Sequence, residues 1–68
     1  MADVTIYLAR RVYLPSGDVL QRYVVTVSSG RVLECRPFEA ELHSMLLVEE
    51  LSICRDADGT LYVANLLL

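Results

Sequence analysis

The sequence has no lysine and no tryptophan, and it contains one phenylalanine, one histidine, two cysteines and two prolines among 68 residues. The six basic residues are therefore all arginines, and nine acidic residues bring the net charge to −3. Nucleic-acid binding needs a basic surface, so this balance argues against a nucleic-acid partner. No apolar run reaches the roughly 18 residues of a membrane span, and no charged segment precedes an apolar one near Met1. We therefore expect a cytoplasmic protein without a membrane partner.

The apolar content of the sequence is high: 54% of the residues are hydrophobic, and most of these are aliphatic. Residues 1–68 are short enough for one small domain only, below the size at which a single core is comfortably stable. A monomer of this size has too little interior to bury so many apolar side chains. The composition therefore predicts a homo-oligomer, most simply a dimer, in which a second subunit covers an exposed face.

Val19 to Phe38 has the pattern of a β-hairpin. Apolar residues alternate with polar ones on both sides of Ser28-Ser29-Gly30, as in half-buried strands. A two-residue loop would set apolar against charged side chains, whereas a three-residue loop sets Val25 against Leu33. The sequence thus favours the three-residue loop, with Gly30 at positive φ.

Val4 to Leu14 alternates in the same way, and Pro15-Ser16-Gly17-Asp18 is a turn signal. If Leu14 faces Val19, then Leu8 pairs with Val25 on the face that the second hairpin also selects. This agreement predicts an antiparallel meander. Its expected core layer consists of Ile6, Leu8, Leu14, Val19, Val25, Val27, Leu33 and Cys35.

The second half of the chain is less regular. Residues 38–44 break the alternation, and we expect a loop there with room for one short helical turn at 39–44. Met45 to Ile53 opens with four apolar residues, which favours a strand covered on both faces, although a helix over 38–51 is an alternative. Asp56-Ala57-Asp58-Gly59 then predicts a turn before a last strand, Thr60 to Leu66. The predicted fold class is all-β, a small antiparallel meander of about five strands that we expect to be half-barrel-like or sandwich-like on dimerisation.

Residues 9–37 contain a Pro-Ser-Gly-Asp turn followed by Ser-Gly-Arg-Val in a second hairpin, and this order resembles the N-terminal β-domain of the amidohydrolase superfamily. In that family a segment with two metal-binding histidines follows. Here the corresponding stretch keeps His43 but has Met45 at the second position. The resemblance therefore implies a stand-alone β-domain without the catalytic barrel.

Three further patterns resemble metal-binding or catalytic motifs, but each is better explained by a structural role. Cys35 and Cys54 are expected to be buried thiols in a cytoplasmic chain, and with His43 they lack the closely spaced ligand pair typical of zinc sites. Asp56-Ala57-Asp58-Gly59-Thr60 is similar to the first motif of haloacid-dehalogenase-type phosphatases, which would make Asp56 a nucleophile and Asp58 a general acid. Too little chain follows to build that family's parallel sheet, so a hairpin turn is favoured. We predict no catalytic, cofactor-binding or metal-binding residue.

The predicted register places Arg11, Arg22 and Arg36 side by side on the face opposite the core. Like charges in such a row are unfavourable, so we expect Glu34, Glu49 or Glu50 to lie nearby. Arginine side chains also bind carboxylates and phosphates through two parallel hydrogen bonds. The row is therefore a candidate anion-binding or carboxylate-binding site.

These observations predict a non-enzymatic protein, an oligomerisation or interaction module whose partner is a second copy or an unidentified protein. Two other functions are left open by the sequence. The chain could be an accessory β-subunit of an amidohydrolase-like enzyme, or it could bind an anion or carboxylate ligand at the arginine row.

Overall fold

A computed structural model describes residues 3–39 and 45–68 of the chain. The fold is all-β, as predicted, and the described part contains five strands and no helix. The short helical turn predicted at 39–44 lies outside the described residues apart from Glu39, which is in neither a helix nor a strand. The strands are β1 (Val4–Tyr13), β2 (Val19–Ser28), β3 (Arg31–Pro37), β4 (Met45–Arg55) and β5 (Leu61–Leu67).

The five strands close into a barrel in the order β1-β2-β3-β5-β4. Neighbouring strands are antiparallel except for β1 and β4, which are parallel. The sheet therefore closes within one chain, whereas the sequence suggested a half-barrel that dimerisation would complete. The prediction missed the parallel pair because β4 joins β1 rather than β3. Turn signals do not encode such a crossover connection.

The register of the first hairpin differs from the prediction by one residue: Leu8 pairs with Val24 and not with Val25. The cause is the loop. Leu14 N–H donates to Asp18 O (2.9 Å) and Gly17 N–H donates to Leu14 O (3.0 Å), so the loop proper contains only residues 15–17. Gly17 has φ +97°, the left-handed conformation that ends such three-residue loops.

The second hairpin has the shorter loop that the sequence argued against. Ser28 pairs with Arg31, and Ser29 and Gly30 both have positive φ (52° and 80°), the pattern of a type I′ turn. A bulge then corrects the mismatch of faces, because Thr26 pairs with Glu34 whereas the next residue of β2 pairs with Val32. Leu33 is the extra residue and is 59% exposed. The predicted positive φ of Gly30 is confirmed, and the predicted three-residue loop is wrong.

The third hairpin is present as predicted and repeats the loop geometry of the first. Asp56 N–H donates to Thr60 O (2.8 Å) and Gly59 N–H donates to Asp56 O (2.9 Å). The helical alternative for 38–51 is wrong wherever the structure describes the chain from Met45 onward, since this part is β4. The expectation that β4 is covered on both faces is also wrong at its start, because Leu46 and Leu47 are 52% and 73% exposed.

The core is built from small aliphatic residues of three neighbouring strands. The predicted core residues Val25 and Val27 are buried, and Leu14 and Cys35 pack against the core, but Val19 and Leu33 are exposed. Ile6 and Leu8 are half-buried and lie outside the core cluster, because the register shift turned this part of β1 over. The buried core cluster consists of Ala9, Val12, Val25, Val27, Val48, Leu51 and Ile53.

The barrel is closed by a short seam between β3 and β5. Arg31 and Tyr62 are the paired residues of this seam. Val63 N–H donates to Gly30 O at 2.9 Å beside them. Beyond Val63, the described residues supply no further strand on this side of β5. Among residues 3–39 and 45–68, the second half of β5 is therefore paired along one edge only, towards β4, and we call its other edge open.

Candidate functional site

The regular alternation of side chains breaks at the same level in three adjacent strands. In β1 the inward residues pass from Ala9 to Val12, and in β4 they pass from Val48 to Leu51. Two consecutive residues in each strand are therefore left outside the core, and β2 shows the same break. We call this surface the charged corner; it consists of Arg10, Arg11, Gln21, Arg22, Glu49 and Glu50.

Two ion pairs cross the parallel β1–β4 pair at the charged corner. Arg11 Nη2 lies 2.8 Å from Glu50 Oε2, which also accepts a hydrogen bond from the Tyr13 hydroxyl at 3.1 Å. Arg10 Nε lies 3.4 Å from Glu49 Oε2, with side chains 72% and 51% exposed. Such exposed pairs contribute up to about 1 kcal/mol each. Arg11 is thus held in place by Glu50, whereas Arg10 is held loosely by Glu49.

Arg22 has an unusual backbone for a residue inside a strand. Its φ is +58°, in the left-handed region that non-glycine residues rarely adopt. Phe38 N–H donates to Arg22 O at 2.9 Å, and the Arg22 guanidinium carbon lies 5.7 Å from the centroid of the Phe38 ring. No carboxylate of the described residues lies within 4.0 Å of this guanidinium. Arg22 therefore carries a positive charge that an aromatic face contacts but no described carboxylate neutralises.

The structure does not form the predicted row of Arg11, Arg22 and Arg36. Arg11 lies opposite Gln21 on one side and Glu50 on the other, and Arg36 lies opposite Val24 with its Nε 3.0 Å from Glu34 Oε1. The expected carboxylates are thus present beside Arg11 and Arg36. Sequence reasoning missed Arg10, because strict alternation assigned it to the other face of β1 from Arg11.

Two hollows meet at the charged corner. One is a groove of ≈ 270 Å³ with an apolar floor, and the other is a polar hollow of ≈ 580 Å³. Arg10 and Arg22 line both. The groove is further lined by Leu8, Ala9, Leu47, Val48, Glu49 and Leu68, and the polar hollow by Arg11 and Gln21.

The surroundings of the two cysteines indicate a structural role and not a catalytic or metal-binding one. Cys35 and Cys54 are free, half-buried thiols, and burial raises the pKa of Cys35 above its usual 9.0, which disfavours the reactive thiolate. Within residues 3–39 and 45–68, no three potential metal ligands cluster, and His43 lies outside the described residues.

Both aspartates of the phosphatase-like motif stabilise their own loop. Asp56 Oδ1 accepts a hydrogen bond from Ala57 N–H (2.6 Å), and Asp58 Oδ1 accepts one from Thr60 N–H (3.0 Å). The hydrogen bond from Thr60 lowers the pKa of Asp58 below its usual 3.8. This is the chemistry of a hairpin turn, in which the carboxylates satisfy backbone donors.

Comparison of the chain with family descriptions, with curated proteins and with solved structures finds no match. The described part of the chain also contains no helix that is long and apolar enough to cross a membrane. The strand order alone defines the class of the protein, a small five-stranded β-barrel, and this barrel carries the charged corner.

Proposed function

We propose that this barrel is a non-catalytic assembly module that pairs with a second copy of itself through the open edge of β5. The observation that carries the proposal is the composition of this strand edge: β5 contains no charged residue and no proline over Leu61–Leu67. Exposed sheet edges are ready templates for pairing with another chain, and proteins usually protect them with charges, prolines or bulges.

The contrast with β3 supports this assignment. β3 borders the same seam and carries three charged residues and a terminal proline, Pro37, and β5 has neither. Each strand contains one bulge, at Leu33 in β3 and at Ala64 in β5. Charges, prolines and bulges all disfavour pairing with a further strand. Of the two strands at the seam, β3 is therefore protected by charges and a proline in addition to its bulge, whereas β5 has its bulge alone.

The hydrogen bonding of Leu66 supports an open edge in the second half of β5. Leu66 N–H donates to the side-chain Oδ1 of its neighbour Asn65 at 2.9 Å, an exposed contact within the strand. An antiparallel partner strand would exchange this local hydrogen bond for a backbone one. The exchange costs little because one hydrogen bond replaces another.

A second copy is the occupant that suits this edge. Antiparallel pairing of β5 with β5 of another copy is two-fold symmetric, so one surface serves both subunits. The molecule has a net charge of −3, but its β5 strand is uncharged, so the symmetric contact brings no like charges together at the edge. Pairing would also cover Leu67, the last residue of β5, which is 54% exposed. This agrees with the apolar surplus of the composition.

Sedimentation velocity over a dilution series tests the proposal. We expect the unaltered chain to associate in a concentration-dependent way and Leu67→Lys to remain monomeric, because a charge at the edge opposes pairing. Leu33→Lys is the matched control: Leu33 is similarly exposed, at 59%, but lies on the protected strand. Far-ultraviolet circular dichroism would confirm that both variants remain folded.

Two outcomes would contradict the proposal. A chain that stays monomeric at every concentration would show that the edge does not associate. Association that Leu33→Lys abolishes and Leu67→Lys leaves intact would place the contact elsewhere. The accessory-subunit function suggested by residues 9–37 remains a prediction, and co-purification of a barrel enzyme with the tagged chain would favour it instead.

A further inference from the structure

We propose that Arg10 and Arg22, together with the adjoining apolar groove, bind a carboxylate attached to an apolar chain. Fatty acids and the carboxyl-terminal ends of apolar peptides share this chemistry. The site goes beyond self-association and does not depend on it, because the groove is lined by β1, β2 and β4 residues together with Leu68, whereas the proposed contact between copies is the edge of β5.

The register of the strands places an apolar row next to a cationic one. Leu8 pairs with Val24 of β2 on one side and with Leu47 of β4 on the other. Val24 is buried, so Leu8 and Leu47 are the members of this row that line the groove. Two residues further along β1, on the same face, Arg10 lies beside Glu49. A ligand lying along β1 would therefore meet leucine side chains first and a guanidinium next. This order matches a molecule with an apolar tail and an anionic head.

The two arginines at this junction are suited to accept a ligand. Arg22 has no carboxylate partner among the described residues, and the Arg10–Glu49 contact is long and exposed. A planar guanidinium binds a carboxylate through two parallel hydrogen bonds. Arg11 is different, since Glu50 holds it at 2.8 Å, and we therefore exclude it from the site.

The backbone of Arg22 is a second, independent observation. A non-glycine residue in the left-handed region stores strain, and such residues cluster at ligand-binding sites. Here the strain has a visible consequence: Leu20 and Tyr23 both pack on the core, so Gln21 and Arg22 both lie outside it. A regular strand would alternate the two neighbours between the faces. The strained residue thus keeps Arg22 on the surface of the barrel, where it lines both hollows.

The groove indicates that the ligand has an apolar portion. A small inorganic anion would contact the guanidinium groups but would leave Leu8 and Leu47 uncovered, and Leu47 is 73% exposed. An apolar chain in the groove would remove this surface from water, which is favourable in proportion to the area covered. The groove volume of ≈ 270 Å³ is slightly below the range of about 300–1,000 Å³ that is usual for ligand sites, so the groove suits a short or medium-length chain.

The test is a nuclear magnetic resonance titration of the isotope-labelled chain with four probes: octanoate, N-acetyl-leucyl-leucine, acetate and octanol. We expect octanoate or the dipeptide to shift the Nε resonances of Arg10 and Arg22 together with the methyl resonances of Leu8 and Leu47. Acetate lacks the tail and octanol lacks the charge. Each should bind at least about tenfold more weakly, because octanol loses the charged hydrogen bonds and acetate loses the burial of the apolar tail.

Variants separate the site from general charge attraction. Arg22→Gln should weaken octanoate binding by about tenfold, for the loss of one charged hydrogen-bonding group. Arg55→Gln is the matched control, because Arg55 is exposed and lies at the far end of β4, away from both hollows. Leu47→Ser should weaken octanoate binding and leave acetate binding unchanged.

Each arm has a clear outcome. Binding of octanoate alone supports a fatty-acid ligand, binding of the dipeptide alone supports a peptide terminus, and binding of both supports the shared chemistry. The proposal is wrong if none of the probes binds, if acetate or octanol binds as tightly as octanoate, or if Arg55→Gln weakens binding as much as Arg22→Gln. Repeating the titration with Leu67→Lys keeps the two proposals distinguishable, since we expect octanoate to bind this variant unchanged.

Discussion

Arg22 is the residue at which the backbone of the barrel departs furthest from an ordinary strand. Its positive φ has a direct energetic consequence, because a left-handed conformation costs an L-residue with a side chain about 1–2 kcal/mol. Glycine adopts the same conformation without that cost. The usual preference for alanine over glycine inside a strand should therefore be reversed at this position.

We predict that Arg22→Gly is more stable than Arg22→Ala by about 1 kcal/mol. Both variants lose the contact with Phe38, so their difference isolates the backbone. Urea unfolding followed by circular dichroism measures it. The neighbouring pair Gln21→Gly and Gln21→Ala is the control, because Gln21 has no positive φ and alanine should be the more stable there. Equal stabilities of the two Arg22 variants would show that φ is not strained.

The structure brings together only part of the predicted row of arginines. Arg11 and Arg22 both lie at the charged corner, whereas Arg36 is on β3 and pairs with Glu34. Arg10 was missed because the prediction assumed unbroken alternation. In β2 the break coincides with the positive φ of Arg22, whereas in β1 and β4 it occurs without any residue of positive φ, and residue types do not indicate either case. The sequence therefore predicts that arginines cluster on the surface, but it does not predict which arginines form the cluster.

The three hairpins show how far turn chemistry can predict an element. The strands, the glycine-containing turns and the positive φ of Gly30 all follow from residue types. Two registers were nevertheless wrong, each for a stated reason: the first loop is one residue shorter than assumed, and a bulge at Leu33 makes a two-residue loop compatible with the faces. Because side chains alternate, a shift of one residue is enough to turn a strand over.

The second hairpin has a turn residue that can be improved. Ser29 has φ +52°, and asparagine tolerates positive φ better than serine and is preferred before glycine in type I′ turns. We predict that Ser29→Asn raises the free energy of unfolding by roughly 0.5 kcal/mol. Urea unfolding measures the change. Ser28→Asn, one residue earlier at the end of β2, should give no increase, and an increase of the same size there would contradict the turn-based explanation.

For the whole molecule, the all-β class was predictable and the closure of the barrel was not. The apolar run that begins at Met45 indicated a strand, but nothing in residue types shows that this strand lies parallel to β1. Long-range pairing depends on how the whole set of strands buries the core, which local patterns do not determine. The homo-oligomer inferred from composition remains a prediction, and the open edge of β5 gives it a location to test.

The brevity of the β3–β5 seam predicts where the barrel opens first. One residue pair and the hydrogen bond from Val63 N–H to Gly30 O close it, whereas β1 is paired along most of its length on both sides. We expect the Val63 amide to exchange with deuterium through local opening, at least about tenfold faster than the amides at the centre of β1. Hydrogen exchange followed by nuclear magnetic resonance measures this. Equal protection at both places would mean that the seam opens only when the whole molecule unfolds.

The parallel pairing of β1 with β4 also affects the order in which the protein can fold during synthesis. β1 pairs with β2 as soon as the first hairpin has left the ribosome, but its other edge waits for Met45 and the residues after it. A nascent chain that stalls before that point exposes Ile6 and Leu8 beside an unpaired backbone. Slow translation between β3 and β4 would therefore favour aggregation of the growing chain.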